Sequence, residues 1–98
     1  MRFEFEDDDL RRLYEDREFV LPRIGPDVTK AYRKKMGLIA SASESDLRSY
    51  RALHFEKLKG SRAGQHSIRL NDQWKLIFRI ETDTEGRLLI IVKIFDYH

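Results

Sequence analysis

The stretch that decides the fold is residues 65–81, QHSIRLNDQWKLIFRIE, in which apolar side chains alternate with polar or charged ones on both sides of Asn71-Asp72. A period of two predicts half-buried strands, and Asn and Asp tolerate the backbone conformations of a tight turn. We therefore predict an antiparallel hairpin of two strands, Gln65 to Leu70 and Gln73 to Glu81. The side chains expected to face the core are Ile68, Leu70, Leu76, Phe78 and Ile80.

Three further strand patterns flank this hairpin. Arg87 to Asp96 contains the apolar run 88–92, which is typical of a central strand. Leu53 to Lys59 predicts a strand before the hairpin. Residues 2–6 alternate as well, and the simplest position for them is beside the last strand.

Helical patterns precede the hairpin. Asp7 to Asp9 can accept hydrogen bonds from the first amides of one helix, Pro26 suits the first turn of a second, and Ser43 to Asp46 resembles a cap for a short third. The order of elements predicts an α+β domain, with two or three helices packed on one face of a mostly antiparallel sheet. We expect residues 1–98 to form this single domain.

Composition excludes several classes of protein. The 98 residues include no cysteine, so disulfide frameworks, thiolate metal sites and thiol catalysis are excluded. No apolar run approaches the roughly 20 residues of a membrane span, and the acidic start is unlike a signal peptide. We therefore expect a cytoplasmic protein with no membrane partner.

The charge is distributed unevenly. Residues 19–79 carry a net charge of +8, between flanking segments of −4 and −2. Such a block favours an anionic partner, most commonly nucleic acid, although solvated helix faces also produce it.

The alternation also predicts what the uncovered face of the sheet carries. On the last strand, Ile90, Val92 and Ile94 are expected to face the helices and Ile91 to face away. Cations mixed with aromatic rings suit single-stranded RNA, because the cations meet phosphates and the rings stack on bases. The same pattern is also typical of strand cations that prevent edge-to-edge aggregation and of a docking patch for a partner protein. The side chains expected on this face are Arg69, Lys75, Arg79, Lys93, Phe95 and Tyr97.

The three histidines, His54, His66 and His98, are not spaced as a zinc site, and no phosphate-binding loop is present. The remaining chemistry is acid–base and electrostatic. RNA is cut without a metal when a base deprotonates the 2′-hydroxyl, cations stabilise the phosphate and an acid protonates the leaving oxygen. His66 belongs to the inward-facing positions, so we expect a structural role for it.

Several pieces of the second half together resemble one family. They are Leu53-His54, Leu58-Lys59-Gly60, residues 67–79 and the sequence Asp96-Tyr97-His98. This ordered set, over about residues 53–98, resembles the HigB (host inhibition of growth) branch of the RelE/ParE toxin superfamily.

The resemblance implies the toxin of a type II toxin–antitoxin module. Such toxins are ribosome-dependent mRNA endoribonucleases that inhibit translation without a metal or cofactor. The implied partners are the ribosome, mRNA and a HigA-like helix-turn-helix antitoxin, which alone contacts operator DNA. The alternative is a ParE-like or degenerate toxin that acts by binding protein.

The resemblance also assigns residues. Lys75 stands where the family usually has arginine, and Lys57 competes with Lys59 for the role of active-site lysine. We expect His54 and His98 to divide the acid and base roles. The catalytic candidates are His54, Lys59, Lys75, Asp96, Tyr97 and His98. The RNA-binding candidates come instead from the strand alternation and from the charge around the Gly60–Gly64 loop, and are Lys57, Arg62, Arg69, Arg79 and Lys93.

Overall fold

The computed structural model describes residues 1–97, so His98 lies outside the described residues. Five strands form one sheet in the order β1-β5-β4-β3-β2, in which β1 is parallel to β5 and the other neighbours are antiparallel. This confirms the α+β class and the position of the first strand beside the last. The strands are β1 (Phe3–Phe5), β2 (Glu56–Lys57), β3 (Gln65–Arg69), β4 (Trp74–Asp83) and β5 (Gly86–Asp96).

The helices begin where the sequence predicts. They are α1 (Asp8–Glu15), α2 (Gly25–Ser41) and α3 (Glu44–Ser49). Asp7 caps α1 by accepting hydrogen bonds from the first-turn amides, and Ser43 and Asp46 form a reciprocal capping box on α3. Among residues 1–97, no helix is long and apolar enough to cross a bilayer.

The core lies between the helices and one face of the sheet. Tyr32 and Met36 of α2 and Phe78 of β4 are fully buried there, and the half-buried Trp74 packs against this core. The Tyr32 hydroxyl donates a hydrogen bond of 2.7 Å to the carbonyl of Leu10, which ties α2 to α1. Burial raises the pKa of this phenol, so it remains neutral.

A bulge in β5 corrects the predicted facing of its residues. Ile77 pairs with Lys93 and Phe78 pairs with Ile91, so Val92 is an extra residue. An extra residue reverses the alternation on one side of the bulge. The expectation for Ile94 is confirmed, but those for Ile91 and Ile90 were wrong: Ile91 lies in the core, whereas Ile90 lies opposite Arg79 on the other face.

The strand predicted over Leu53 to Lys59 is much shorter. Residues Arg51–Leu53 form a 3-10 turn, and His54 follows in the left-handed region at φ 46° and ψ 56°. Leu53 is buried in the core, and this turn brings it there. Only Glu56–Lys57 pairs with β3, which leaves a short edge strand.

Candidate nucleic-acid interface

The uncovered face of the sheet carries a row of three side chains at one end. Arg69 of β3 lies directly opposite Lys75 of β4, and Lys75 lies opposite Phe95 of β5. Residues paired in this way point to the same side of a sheet. The strand alternation therefore predicts the position of all three, away from the helices.

Arg69 connects this row to a histidine. Its guanidinium lies 3.4 Å from Nε2 of His54, donates to the carbonyl of Asn71 at 3.2 Å and pairs closely with the carboxylate of Asp72. His54 is exposed and is the one non-glycine residue with a positive φ among residues 1–97. Such backbone positions are uncommon and concentrate at functional sites.

Lys75 lies between an acid and a phenol ring. Its Nζ is 3.3 Å from the carboxylate of Glu56 and 4.6 Å from the centre of the Tyr97 ring. The Tyr97 hydroxyl donates a hydrogen bond of 2.7 Å to the carbonyl of Asp72, which fixes the ring beside the hairpin turn. The arrangement places a cation, an imidazole and a phenol at one end of the sheet.

The next aromatic ring on this face, that of Phe95, is also flanked by cations. The Arg62 guanidinium lies 5.3 Å from its centre, and the Lys93 Nζ lies 5.5 Å from it. Arg62 also donates to the side-chain oxygen of Gln65 at 3.2 Å. Arg62 and Lys93, both predicted from the sequence to bind RNA, therefore reach the open face, where each lies over the Phe95 ring.

Arg79 shares the open face but lies farther along it. It is four residues from Lys75 on β4, which is roughly 13 Å at the usual rise of a strand. Its guanidinium lies 2.5 Å from the carboxylate of Glu6 and 3.0 Å from that of Glu81. Hydrogen bonds to these carboxylates, Glu6 first, raise the pKa of Arg79.

We call the side chains connected through Arg69 and Lys75 the His54 cluster: His54, Arg69, Lys75, Tyr97 and the paired acids Glu56 and Asp72. The structure does not bring the other two lysine candidates, Lys57 and Lys59, to this cluster. The Leu58 amide donates a hydrogen bond to the carbonyl of Gln65, which begins β3, whereas Arg69 ends that strand. Lys59, which is exposed and follows Leu58, therefore lies at the far end of β3 from Arg69. Lys57 pairs with His66 and therefore points toward the helix side of the sheet. Asp96, at the end of β5, accepts a hydrogen bond of 3.0 Å from the side-chain amide of Gln73.

His66 has the environment of a packing residue. Its ring stacks on Phe78 at 5.9 Å and lies 5.4 Å from Phe55, and its Nδ1 has no hydrogen-bond partner among the described residues. Burial lowers the pKa of the imidazole. Within residues 1–97, no three His, Cys, Asp or Glu side chains are grouped as metal ligands.

Two acids in the cluster, Glu56 and Asp72, were not predicted from the sequence. Asp72 was identified only as a turn residue, although an acid three positions after Arg69 is within reach of its guanidinium. Glu56 pairs with Ser67, which places it on the face of Arg69 and Lys75. A strand of two residues has no alternation from which this position can be read.

Comparison with known proteins identifies the family of the chain. Residues 3–98 match the model of the HigB-like toxins, described as the RelE-like toxin of the type II toxin–antitoxin system HigB. Toxin HigB-1 of Vibrio cholerae is 38% identical over 82 residues, which are 81% of this chain and 83% of that protein. An uncharacterised protein of Haemophilus influenzae is 34% identical over 90 residues, 91% of this chain and 88% of that one.

Solved structures share the fold at low sequence identity. YafQ from E. coli strain BL21(DE3) superposes with a TM-score of 0.62 at 15% identity, covering 99% of this chain and 94% of that one. A YoeB/ParE toxin from Agrobacterium tumefaciens superposes with a TM-score of 0.59 at 18% identity and covers 100% of both chains. At these identities the likeness extends to the fold alone.

Proposed function

This chain belongs to the HigB family of RelE-like type II toxins, and from that premise we propose that it inhibits translation as an endoribonuclease that cuts mRNA on the ribosome. The observation that carries the proposal is the contact of Arg69 with His54 beside the Lys75–Tyr97 pair. An imidazole and two cations on an open sheet face are the groups that phosphodiester cleavage requires.

The proposed reaction is attack of a ribose 2′-oxygen on the adjacent phosphorus. A base removes the 2′-hydroxyl proton while the new P–O bond forms, and an acid protonates the 5′-oxygen as its bond to phosphorus breaks. His54 and His98 divide these two roles in the proposal. His98 follows Tyr97 in the chain and lies outside the described residues.

The other candidates bind and position the RNA. Lys75 and Arg69 stabilise the charge that develops on the phosphate, after phosphate has replaced their present carboxylate partners. Tyr97 orients the nucleotide next to Lys75, and Asp96 positions the end of β5. At the other end of β3 from Arg69, Lys59 contacts the phosphate backbone of the RNA, and Arg62, Lys93 and Arg79 add affinity along it. Lys57, predicted from the sequence to bind RNA, points toward the helix side of the sheet and is not part of this surface in the proposal.

The remaining partners follow from the same premise. A type II toxin requires an antitoxin, and we propose a HigA-like helix-turn-helix protein that alone contacts the operator DNA. The protein acts in the cytoplasm, where ribosomes and mRNA are found.

The test is to add purified protein to translating ribosomes carrying a defined mRNA and to map the new RNA ends. We expect cleavage within the decoding site and none in a ribosome-free control. Lys75→Gln should slow cleavage by about 10²–10³-fold, the usual effect of removing one group that stabilises transition-state charge. Lys34→Gln, an exposed lysine on α2, is the matched control. Growth arrest without new mRNA ends would instead support the protein-binding alternative.

A further inference from the structure

The helix layer contains an open groove that the proposed RNA chemistry does not use. It measures about 480 Å³ and lies between the segment after α1 and the first turns of α2. Its apolar lining comes from Phe19, Val20, Pro22 and Pro26. Val20 is 66% exposed, the largest exposed fraction of any large hydrophobic side chain in residues 1–97.

The rim of this groove is basic and lacks counter-ions. Arg17, Lys30 and Arg33 line it, no acidic side chain does, and none of the three forms an ion pair with a carboxylate in the described part of the chain. On the sheet, by contrast, Arg69 and Arg79 are paired with acids. The groove is therefore matched to a ligand that supplies both negative charge and an apolar side chain.

The walls of the groove are held in place without a ligand. Arg33 reaches back from α2, donating from Nε to the carbonyl of Leu13 at 2.8 Å and from its NH2 group to those of Asp16 and Phe19, each at 3.1 Å. The Arg12 guanidinium lies 4.1 Å from the centre of the Phe19 ring. A surface already fixed in this way loses little freedom on binding, which favours affinity.

We propose that this groove binds an acidic segment of the antitoxin, which inserts an aliphatic side chain against Val20 and pairs its carboxylates with Arg17 and Lys30. The choice of an antitoxin as the partner rests on membership of a toxin–antitoxin family and does not depend on RNA cleavage by this chain. RNA is a poorer match, because the Phe19 ring in the lining already has the Arg12 guanidinium on one of its faces, and Val20 and the two prolines offer no aromatic ring on which bases stack.

The acidic start of the chain is a weaker site for the antitoxin. Three of its carboxylates are engaged within the protein: Glu6 pairs with Arg79, Asp7 caps α1 and Asp8 pairs with Arg11. A basic patch on the antitoxin would have to displace these partners. The groove requires no such exchange, since its cations have no carboxylate partners among residues 1–97.

The groove and the His54 cluster lie on opposite sides of the sheet. The groove belongs to the helix layer, whereas Arg69 and Lys75 face away from it. Substitutions in the groove should therefore weaken antitoxin binding without slowing cleavage. This separation distinguishes failure of the groove proposal from failure of the proposed nuclease activity.

The experiment measures the Kd between purified toxin variants and an immobilised HigA-like antitoxin, the partner proposed above. We expect Val20→Glu to weaken binding at least tenfold and Lys30→Glu to weaken it roughly three- to tenfold, since each replaces an attraction with a repulsion. Lys34→Glu, on the same helix but outside the groove, should change the Kd less than threefold. Both groove positions are exposed, and thermal melting checks that the variants fold.

Three outcomes would overturn the proposal. The first is an unchanged Kd for both Val20→Glu and Lys30→Glu. The second is equal weakening by Lys34→Glu, which would indicate a general effect of charge. The third is intact antitoxin binding with loss of binding to a 12-nucleotide adenylate RNA, which would make the groove an RNA surface. Cleavage on ribosomes, measured on the same proteins, reports on the nuclease proposal separately.

Discussion

Arg69 and Lys75 lie directly opposite each other across the β3–β4 hairpin, and each is paired with a carboxylate from a different segment. Asp72 in the turn pairs with Arg69, and Glu56 in the edge strand pairs with Lys75 at 3.3 Å. Like charges at opposite positions of a sheet repel, so these acids stabilise the cation pair while no RNA is bound. In the proposed complex, phosphate takes over the role of the two carboxylates.

The first prediction concerns Glu56, which competes with phosphate for Lys75. Glu56→Gln should increase affinity for a 12-nucleotide RNA by roughly two- to fivefold, the effect of removing one exposed ion pair. Fluorescence anisotropy measures this Kd. Glu85→Gln is the control, because Glu85 is exposed and its carboxylate lies 3.5 Å from Arg2, not from a cation of the cluster. Weaker RNA binding by Glu56→Gln would contradict this prediction and would mean that the Glu56 carboxylate contributes to RNA binding.

The second prediction ranks the cations of the open face by the salt dependence of RNA binding. Arg69→Gln and Lys75→Gln should each lower the slope of log K against log salt by roughly 0.7, the value for one phosphate contact on a single strand. Arg79→Gln should lower it less, because two carboxylates, those of Glu6 and Glu81, neutralise that guanidinium, whereas Arg69 and Lys75 are each paired with only one. Binding measured between about 50 and 200 mM salt tests the ranking. Equal slopes for all three variants and the parent would exclude this face as the RNA surface.

The sequence predicts the hairpin well because its period-two pattern is uninterrupted. The positions of Arg69 and Lys75 follow directly from that pattern. The bulge at Val92 was not predictable, since the run 88–92 is entirely apolar and has no polar residue to mark which side faces solvent. The left-handed backbone of His54 depends on the 3-10 turn before it, and the Glu56–Lys75 pair depends on the register of a two-residue strand. Neither feature has a local sequence signal.

The third prediction concerns packing. Trp74 packs against the core but is only half-buried, so Trp74→Ala should lower the free energy of unfolding by about 2–3 kcal/mol, somewhat less than a fully buried site. Urea unfolding measures the change. Val20→Ala, at an exposed position, should change it by less than about 0.5 kcal/mol. Near-normal stability with loss of RNA binding would instead identify Trp74 as a ring on which bases stack.

The fourth prediction concerns acid stability. Hydrogen bonds from Arg87 and then Arg48 lower the pKa of Glu44 to about 2, against an ordinary value of 4.5. A carboxyl with a lowered pKa in the folded state stabilises the protein above the unfolded-state pKa, and this stabilisation is lost as the pH falls from about 4.5 to about 2. Glu44→Gln should therefore be less stable than the parent by about 1 kcal/mol at pH 7. The difference should shrink through that acidic range in urea titrations. A difference independent of pH would show that the Glu44 charge does not contribute.

The last prediction concerns the two proposed acid–base histidines. His54→Gln and His98→Gln should each slow mRNA cleavage on ribosomes by about 10²–10⁴-fold, the usual contribution of one acid–base group. In the plot of cleavage rate against pH, loss of the base should remove the limb in which the rate rises with pH, because a base acts in its deprotonated form. Loss of the acid should remove the limb in which the rate falls, so single-turnover rates between about pH 5 and 9 assign the roles. His66→Phe is the control, since it removes the imidazole, keeps an aromatic ring against Phe78 and should keep cleavage within threefold. If His98→Gln cleaves at the parental rate and His54→Gln does not, the second proton-transfer group is another side chain of the cluster, and Tyr97, beside Lys75, is the next residue to substitute.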